Sequence, residues 1–551
     1  MKLNYNEKSG HKWHRQAGLV DQSLIFSMKL NIGGDDESLL ALLIQLNQLG
    51  ASRIGKGSIV IMHNPEEVVK TSLLRGLLNS EISNNNCTWS DLQSYFKNEG
   101  MEINFSEHLT DIDIWIDKPR MTYDEVCPKL WLIHGNGKAL LGSEKLPQLP
   151  ETFSGICPTF IDAATLISGI SSLLHIFLKQ NSYFWKQPIS DSWLTLTTRI
   201  DDISPQESLE IVSSKYGTGI ANLTNDGLGT LVRFRIPLED TPIKLFDKLI
   251  MEHQEESNLL SNYIDVGPFN SIDENNYINF SSSDLSKKIK NSNFLILGVG
   301  GLGSWAIPSI ISGCDKSTIS LTIIDGDEKV EIHNLNRQIL YDYNSINKSK
   351  VDAAKQKLIE RFDLPAHSII SICDNLSSDH LSKNKNHYEH SITLDAAFEV
   401  DNSKNHIKIM NSLDNMDVAL ACLDNQYSRT VLNKACYERK KPMINGGGEA
   451  SQGLIEFFHE NCCMICRYGE EEAFSLDKVS CQEEGIKPVN SIVTTTAFVG
   501  SMMAASALCA LAKQQGYEIE MPVSRDWSDG LSSLRLDSKL PWLDEKCQNH
   551  I

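Results

Sequence analysis

At 551 residues the chain is too long for one ordinary core, so two or three domains, each with its own interior, are expected. Its 51 basic and 71 acidic residues leave a net charge of -20, which repels phosphate-rich partners and argues against nucleic acid or an anionic membrane. The opening "MKLNYNEKSGHKWHRQ" has no apolar run of the kind a signal peptide needs. A cytoplasmic chain is therefore expected, its 13 cysteines read as thiols, metal ligands or nucleophiles rather than disulfides.

The first recognisable unit, "LNIGGDDESLLALLI" at 30–44, reads as strand, glycine turn and helix start, with acids where further glycines would serve a nucleotide. Next come "MHNPEEVVKTSLLRGLL" (62–78), "DIDIWI" (111–116), "IHGNGKALLG" (133–142) and "TFIDAATLISGISSLLHIFLKQ" (159–180). Residues 200–290 break the pattern. There "GTLVRFRIPLED" reads as a strand, "TPIKLFDKLIMEHQEE" as an amphipathic helix and "NSIDENNYINFSSSD" (270–284) as a linker.

From 291 the first pattern returns in the same order. "GVGGLG" (298–303) answers "NIGGDD", "IDGDEKVEIHNLNRQIL" (324–340) answers 62–78 without a gap, and "DVALAC" (417–422) answers 111–116. "INGGGEASQG" (444–453) answers 133–142, the uncharged "SIVTTTAFVGSMMAASALCALA" (491–512) answers 159–180, and Trp193 and Trp527 follow in similar settings. Five matches in the same order imply a duplication. Two doubly wound α/β units with buried parallel sheets are expected, over 1–199 and 291–551, with a small α/β insert and linker at 200–290. The 491–512 run is long enough to cross a membrane, but its Thr, Ser, Ala and Gly content predicts a buried helix.

The chemistry gathers in the second unit. Gly298, Gly300, Gly301 and Gly303 let backbone approach a nucleotide and aim a helix N-terminus at its phosphates. Asp325, at the end of the next strand in "LTIIDGDEKV", suits a ribose hydroxyl, and Asp327 follows two residues on. "HNLNRQ" then brings Asn334, Arg337 and Gln338 together, and "NKSK" offers Lys350. Two cations from separate segments suit a triphosphate better than a dinucleotide pyrophosphate. Asp424 and Asn425, in "LDNQYSR", fall past a strand's carboxyl end, where a magnesium ligand would be useful.

Taken in order, G-x-G-G-x-G, D-x-D, N-L-N-R-Q, Lys and D-N-x-x-x-R resemble the MoeB/ThiF/ubiquitin-activating enzyme superfamily over nearly all of 290–551. The resemblance implies that Asp325 binds ribose, that Asn334, Arg337 and Lys350 bind phosphates, and that Asp424 holds Mg2+. It also implies adenylation of a protein's C-terminal glycine carboxylate by ATP. In the first unit His63 stands for Asp325, Pro65 for Asp327, Ser72 for Asn334 and Gly76 for Gln338, while Arg75 survives opposite Arg337. That copy should not bind ATP. Yet "HKWHRQAGLVDQ" (11–22) resembles the segment from which members of the superfamily send an arginine into a partner's phosphate site, and Arg15 takes that position. The second unit has no such segment. An inactive copy donating Arg15 to an active copy that lacks it implies a fused pseudo-dimer, compatible with a monomeric chain; the alternative is that Arg15 is a solvated arm residue.

Cys463-x-x-Cys466 and Cys547-x-x-His550 suit a tetrahedral structural Zn2+, with Cys462 able to replace Cys463 and buried free thiols as the alternative. Cys481, in the polar "KVSCQEEGIKP", stands where some relatives place the thiolate that takes the activated carboxylate as a thioester; a structural thiol is the other reading. The leading expectation is an activating enzyme for a ubiquitin-like protein with a C-terminal glycine, passing a thioester to a conjugating enzyme, in a bacterial conjugation system among other settings. The alternatives are a sulfur-carrier or peptide-modifying adenylyltransferase and a non-catalytic peptide-recognition scaffold.

Overall fold

The computed structural model describes residues 12–70, 75–78, 86–118, 126–135, 138–143, 146, 159–181, 184–185, 193–200, 220–225, 230–237, 264–265, 288–377, 402–459, 463–469, 473, 490–517, 519, 524–528 and 530–534. Two mostly parallel sheets organise it. The first is made of β1 (Lys29–Gly34), β2 (Ser58–Met62), β3 (Ile103–Ser106), β4 (Ile114–Asp117), β5 (Leu130–Gly135) and β6 (Lys138–Gly142). Its strands lie in the order β3-β2-β1-β4-β5, all parallel, with β6 turning back antiparallel on β5.

The three-stranded antiparallel sheet of the insert comprises β7 (Trp193–Ile200), β8 (Ile220–Asn225) and β9 (Thr230–Pro237), in the order β7-β9-β8. The strand expected in "GTLVRFRIPLED" is β9, and the 199/200 boundary falls inside β7. A two-residue strand, β10 (Ile264–Asp265), returns from the insert region to pair with β6. The helix expected over 241–256 and the linker at 270–284 lie outside the described residues.

The second sheet repeats the order of the first. Its strands are β11 (Asn293–Leu297), β12 (Ser320–Ile324), β13 (Ile369–Ile372), β14 (Val418–Ala421), β15 (Met443–Glu449), β16 (Gln452–Phe458), β17 (Arg525–Ser528) and β18 (Leu531–Leu534). They run β13-β12-β11-β14-β15 in parallel and finish with the antiparallel β16, β17 and β18. Strands such as "NFLIL" and "VALA" are apolar on both faces because helices cover both faces of a parallel sheet.

Helices α1 (Asp36–Leu49), α2 (Trp89–Asn98) and α3 (Asp162–Gln180) serve the first sheet. The second is served by α4 (Gly303–Gly313), α5 (Lys350–Phe362), α6 (Asn402–Asn415), α7 (Gln426–Glu438) and α8 (Val493–Gln514). Both α3 and α8 are long and apolar enough to span a membrane, and 94% of each such stretch is buried inside the fold. Helix α8 is therefore the buried helix its composition implied, and it lies against α3. His175 Nδ1 meets Thr494 Oγ1 at 3.0 Å, and Trp527 Nε1 donates to Ser172 Oγ at 3.4 Å. The His175 ring is edge-on to Trp185 and Trp527 at about 5 Å. Apolar residues of both sheets, Leu30 and Ile32 with Phe294 and Ile296, belong to one continuous core.

Candidate active site

In each sheet the strand order reverses beside its first strand, and the crevice past the carboxyl ends there is where α/β folds take ligands. In the second sheet this is the gap between β11 and β14. Gly298 leaves β11 at φ +88, and a Cβ there would stand 2.3 Å from the carbonyl oxygen of Cys422, which follows β14. Only glycine fits. Gly303 opens α4 with its Cα 's open side against the Gly298 carbonyl, where a Cβ would lie at 2.1 Å, while Gly300 faces the Gln338 carboxamide. A Cβ on Gly301 would meet the Thr496 methyl of α8 at 2.9 Å. The turn is thus pinned on three sides, with the α4 N-terminus open to the crevice.

Asp325, one residue past β12, accepts from the Val299 N–H at 2.7 Å and from the Asp327 N–H at 2.9 Å. Burial pushes its carboxyl up, against the pull of Lys350. Lys350, the first residue of α5, is buried and ion-paired to Asp327. Tyr341 Oη lies 2.9 Å from the Val299 carbonyl and 3.2 Å from the Lys350 carbonyl, fastening glycine turn and lysine helix together. Asn334 accepts from the Glu331 N–H at 2.8 Å and so caps its own turn. Arg337 donates from one Nη to the His333 carbonyl and the Asn336 side chain, both at 2.9 Å, while its own carbonyl accepts from Trp305 Nε1 of α4 at 2.8 Å. Gln338 Oε1 is buried with no hydrogen-bond partner among the described residues. Asp424 is exposed just past β14, and Asn425 caps α7 by accepting from the Ser428 N–H at 2.8 Å.

The arm of the first half reaches this site. Arg15 is only 7% exposed, which corrects the solvated-arm alternative, and its Nε is buried without a hydrogen-bond partner among the described residues. Its carbonyl accepts from the Ser491 N–H at 2.8 Å, just before α8. The neighbouring Gln16 accepts from Asn336 Nδ2 at 3.3 Å, in the loop that carries Arg337. His333 lies among these charges: burial first, then Arg337, Arg15, Lys350 and His14, hold its imidazole down at about 4.

Residues 274–525 match the ThiF family. This part of the chain is a ThiF-family domain. Among curated relatives, "Adenylyltransferase and sulfurtransferase MOCS3" of Drosophila persimilis is 28% identical over 233 residues, 40% of this chain and 41% of the relative. "Adenylyltransferase and sulfurtransferase UBA4" of Lodderomyces elongisporus is 26% identical over 211 residues, 38% of each chain. The "Probable molybdopterin-synthase adenylyltransferase" of Pyropia yezoensis is 28% identical over 202 residues, 36% of this chain and 44% of the relative. The alignments thus span about two fifths of the relatives' own length. Among solved structures, E. coli MccB with MccA-N7isoASN aligns at 17% identity and TM-score 0.32, over 45% of this chain and 65% of that one. PaaA aligns at 17% identity and TM-score 0.33, over 45% of this chain and 73% of its own.

The first half has the ThiF domain's strand order but a different turn. Asp35 accepts from the Glu37 and Ser38 N–H groups at 3.2 Å each, so a carboxylate of the chain itself fills the α1 N-terminus where a phosphate would bind. Burial pushes Asp35 up, but bonds from His134 and Ser38 outweigh it and hold the carboxyl at about 2. Asp36 pairs with His63 at 2.8 Å, which spends the residue standing in for Asp325. Asp162 adds a further acid beside this turn. A polyphosphate would meet negative charge here instead of the cations of the ThiF domain.

The cysteines are not assembled among the described residues. Cys463 is buried and Cys466 half-buried on the one-turn helix Met464–Tyr468, and no group of three or more metal-capable side chains occurs there. Cys462, Cys481, Cys547 and His550 lie outside the described residues. Tyr341, His333 and the Gln16–Asn336 contact were not singled out from sequence. His333 stands inside the quoted "HNLNRQ", but nothing in one sequence shows that Arg15 approaches it from 318 positions away.

Proposed function

We propose that the chain is an ATP-dependent adenylyltransferase acting on the C-terminal carboxylate of a small carrier protein, in the manner of ubiquitin-like-protein activation. One observation carries this reading: Arg15 of the first-half arm joins Arg337 and Lys350 around His333, beside an open helix N-terminus and Asp325 of the ThiF-family domain. The unpartnered atoms Gln338 Oε1 and Arg15 Nε fit a missing polar occupant of this crevice. The matching strand orders and the α3–α8 contact support reading the two halves as an internal pseudo-dimer, with the first half as scaffold and arginine donor.

In this reading Asp325 orients the ribose and the α4 N-terminus with Arg337 and Arg15 receives the phosphates. Lys350 exchanges its Asp327 partner for phosphate oxygen. A carrier carboxylate oxygen attacks the α-phosphorus, an acyl-adenylate forms and pyrophosphate leaves, so that the chain's task is positioning and charge stabilisation. Asp424, an exposed oxygen donor at the crevice, would hold Mg2+, which neutralises triphosphate charge when bound. Cys481 is the proposed thiolate that takes the acyl group with release of AMP, before transfer to a conjugating enzyme. A Zn2+ on Cys463, Cys466, Cys547 and His550 is proposed as structural; metal analysis of the pure full chain should find one zinc, and finding none removes that part.

The names of the curated relatives favour a second reading, a sulfur-carrier adenylyltransferase. The test is pyrophosphate–ATP exchange with glycine-ended carrier proteins, followed by gels with and without reductant. Wild type should exchange and Asp424→Ala should not. A reducible adduct lost in Cys481→Ala supports thioester transfer, whereas exchange with no adduct favours the second reading. No exchange with any carrier, despite nucleotide binding, would leave a recognition scaffold.

A further inference from the structure

Five basic groups converge on the phosphate end of the crevice: His14 and Arg15 from the first-half arm, His333 and Arg337 from the loop after β12, and Lys350 from the start of α5. Among the described residues three acids oppose them, Asp325 being coupled to Lys350 as well. Asp327 is committed to Lys350, and Glu331 Oε2 stands 3.5 Å from His333 Nε2 but is half exposed to solvent. The His333 side chain is itself 30% exposed, so a proton can reach it. Its backbone is fixed, because the His333 carbonyl accepts from the Arg337 guanidinium at 2.9 Å and Asn334 caps the same turn. The turn that carries the imidazole is thus anchored beside Arg337.

We propose that His333 is a proton-gated member of the phosphate cradle, neutral in the empty site and cationic once a polyphosphate lies among Arg15, Arg337 and Lys350. This deepens the adenylyltransferase reading and rests on it. The physical cause is the sign of the local field. With no ligand, burial and the neighbouring cations disfavour a further positive charge, and His333 is held at about 4. Polyphosphate oxygens reverse that field and supply acceptors for a ring nitrogen that lies 3.5 Å from the half-exposed Glu331 carboxylate. Binding and protonation are then linked: nucleotide affinity rises as pH falls through the bound-state value, by up to about tenfold per pH unit, and levels off below the free-state value. The same linkage makes pyrophosphate release return the proton.

The experiment is calorimetric titration of the full-length chain with Mg-ATP at several pH values, each in buffers of different ionisation enthalpy. Buffer-dependent heats should show net proton uptake, approaching one proton per nucleotide, at pH values between the free-state and bound-state values. His333→Gln, which keeps a polar side chain without a titrating ring, should lose the uptake and the pH slope while still binding nucleotide. His367→Gln, at an exposed position past α5, should keep both. Wild-type binding without proton uptake overturns the proposal, as does uptake that survives in His333→Gln or vanishes in His367→Gln alone. Failure of the wild type to bind nucleotide at any pH would instead overturn the adenylyltransferase reading beneath it.

Discussion

Gly298 fixes how near the β11 turn comes to β14, and with it the width of the crevice between them. Its φ of +88 and the Cys422 carbonyl 2.3 Å from any added Cβ leave no relaxed position for a side chain. Gly298→Ala should therefore lower stability by at least about 2 kcal/mol and abolish nucleotide binding, read by thermal melting and calorimetry. Near-wild-type values for both would show that the turn is free to open. Residues of this kind were legible in the sequence because their chemistry is local. A glycine turn after an apolar strand and an acid at the next strand's end each need only neighbours in the chain, whereas the capping roles of Asn334 and Asn425 emerge only in the structure. Tyr341 was not legible, since its two carbonyl partners, Val299 and Lys350, lie 42 and 9 residues away and no spacing rule connects them.

At the scale of elements, strand and helix types follow from periodicity and apolar content, and the five repeated segments find their counterparts in strands and helices of like position. What periodicity could not supply is the environment of each helix end. Helix α3 opens with Asp162, where the peptide dipoles favour a carboxylate, yet burial raises this group to about 6 against the pull of His134 and Lys118 and with Glu37 pushing the same way. A raised folded-state value means that the protonated form is the better packed one. Its stabilising contribution is fully present below the ordinary aspartate value of 3.8 and is lost as pH rises through about 6. Asp162→Asn should thus melt higher than wild type at pH 7, by roughly 1 to 3 kcal/mol, and the two should converge near pH 4. A pH-independent difference would mean that the carboxyl is solvated in the folded chain.

Among the described residues the halves meet at several places, two of which bear on the site: α3 against α8 in the core and the arm at the crevice. The arm's role could be reasoned from sequence only through resemblance, because its target lies more than 300 positions downstream. In the structure Arg15 is held by its carbonyl to Ser491 and flanked by the Gln16–Asn336 bond, which leave its side chain buried with Nε unpaired beside the His333 turn. Those backbone and neighbour contacts do not involve the guanidinium, so Arg15→Ala should keep the arm docked and lower stability by no more than about 1 kcal/mol. If the guanidinium meets the triphosphate, the same variant should slow pyrophosphate–ATP exchange by roughly two orders of magnitude, the scale of one preorganised charge in a desolvated site. Arg15→Lys, which keeps charge but loses the planar fork, should fall between the two. A purely structural arm would instead reduce exchange only as far as it lowers the folded fraction, with kcat per folded molecule unchanged. Calorimetry supplies the second check: one nucleotide per chain is expected, because Asp35 already occupies the equivalent helix terminus in the first half. Two bound nucleotides with normal exchange in Arg15→Ala would mean that each half serves its own site and that the arm donates nothing.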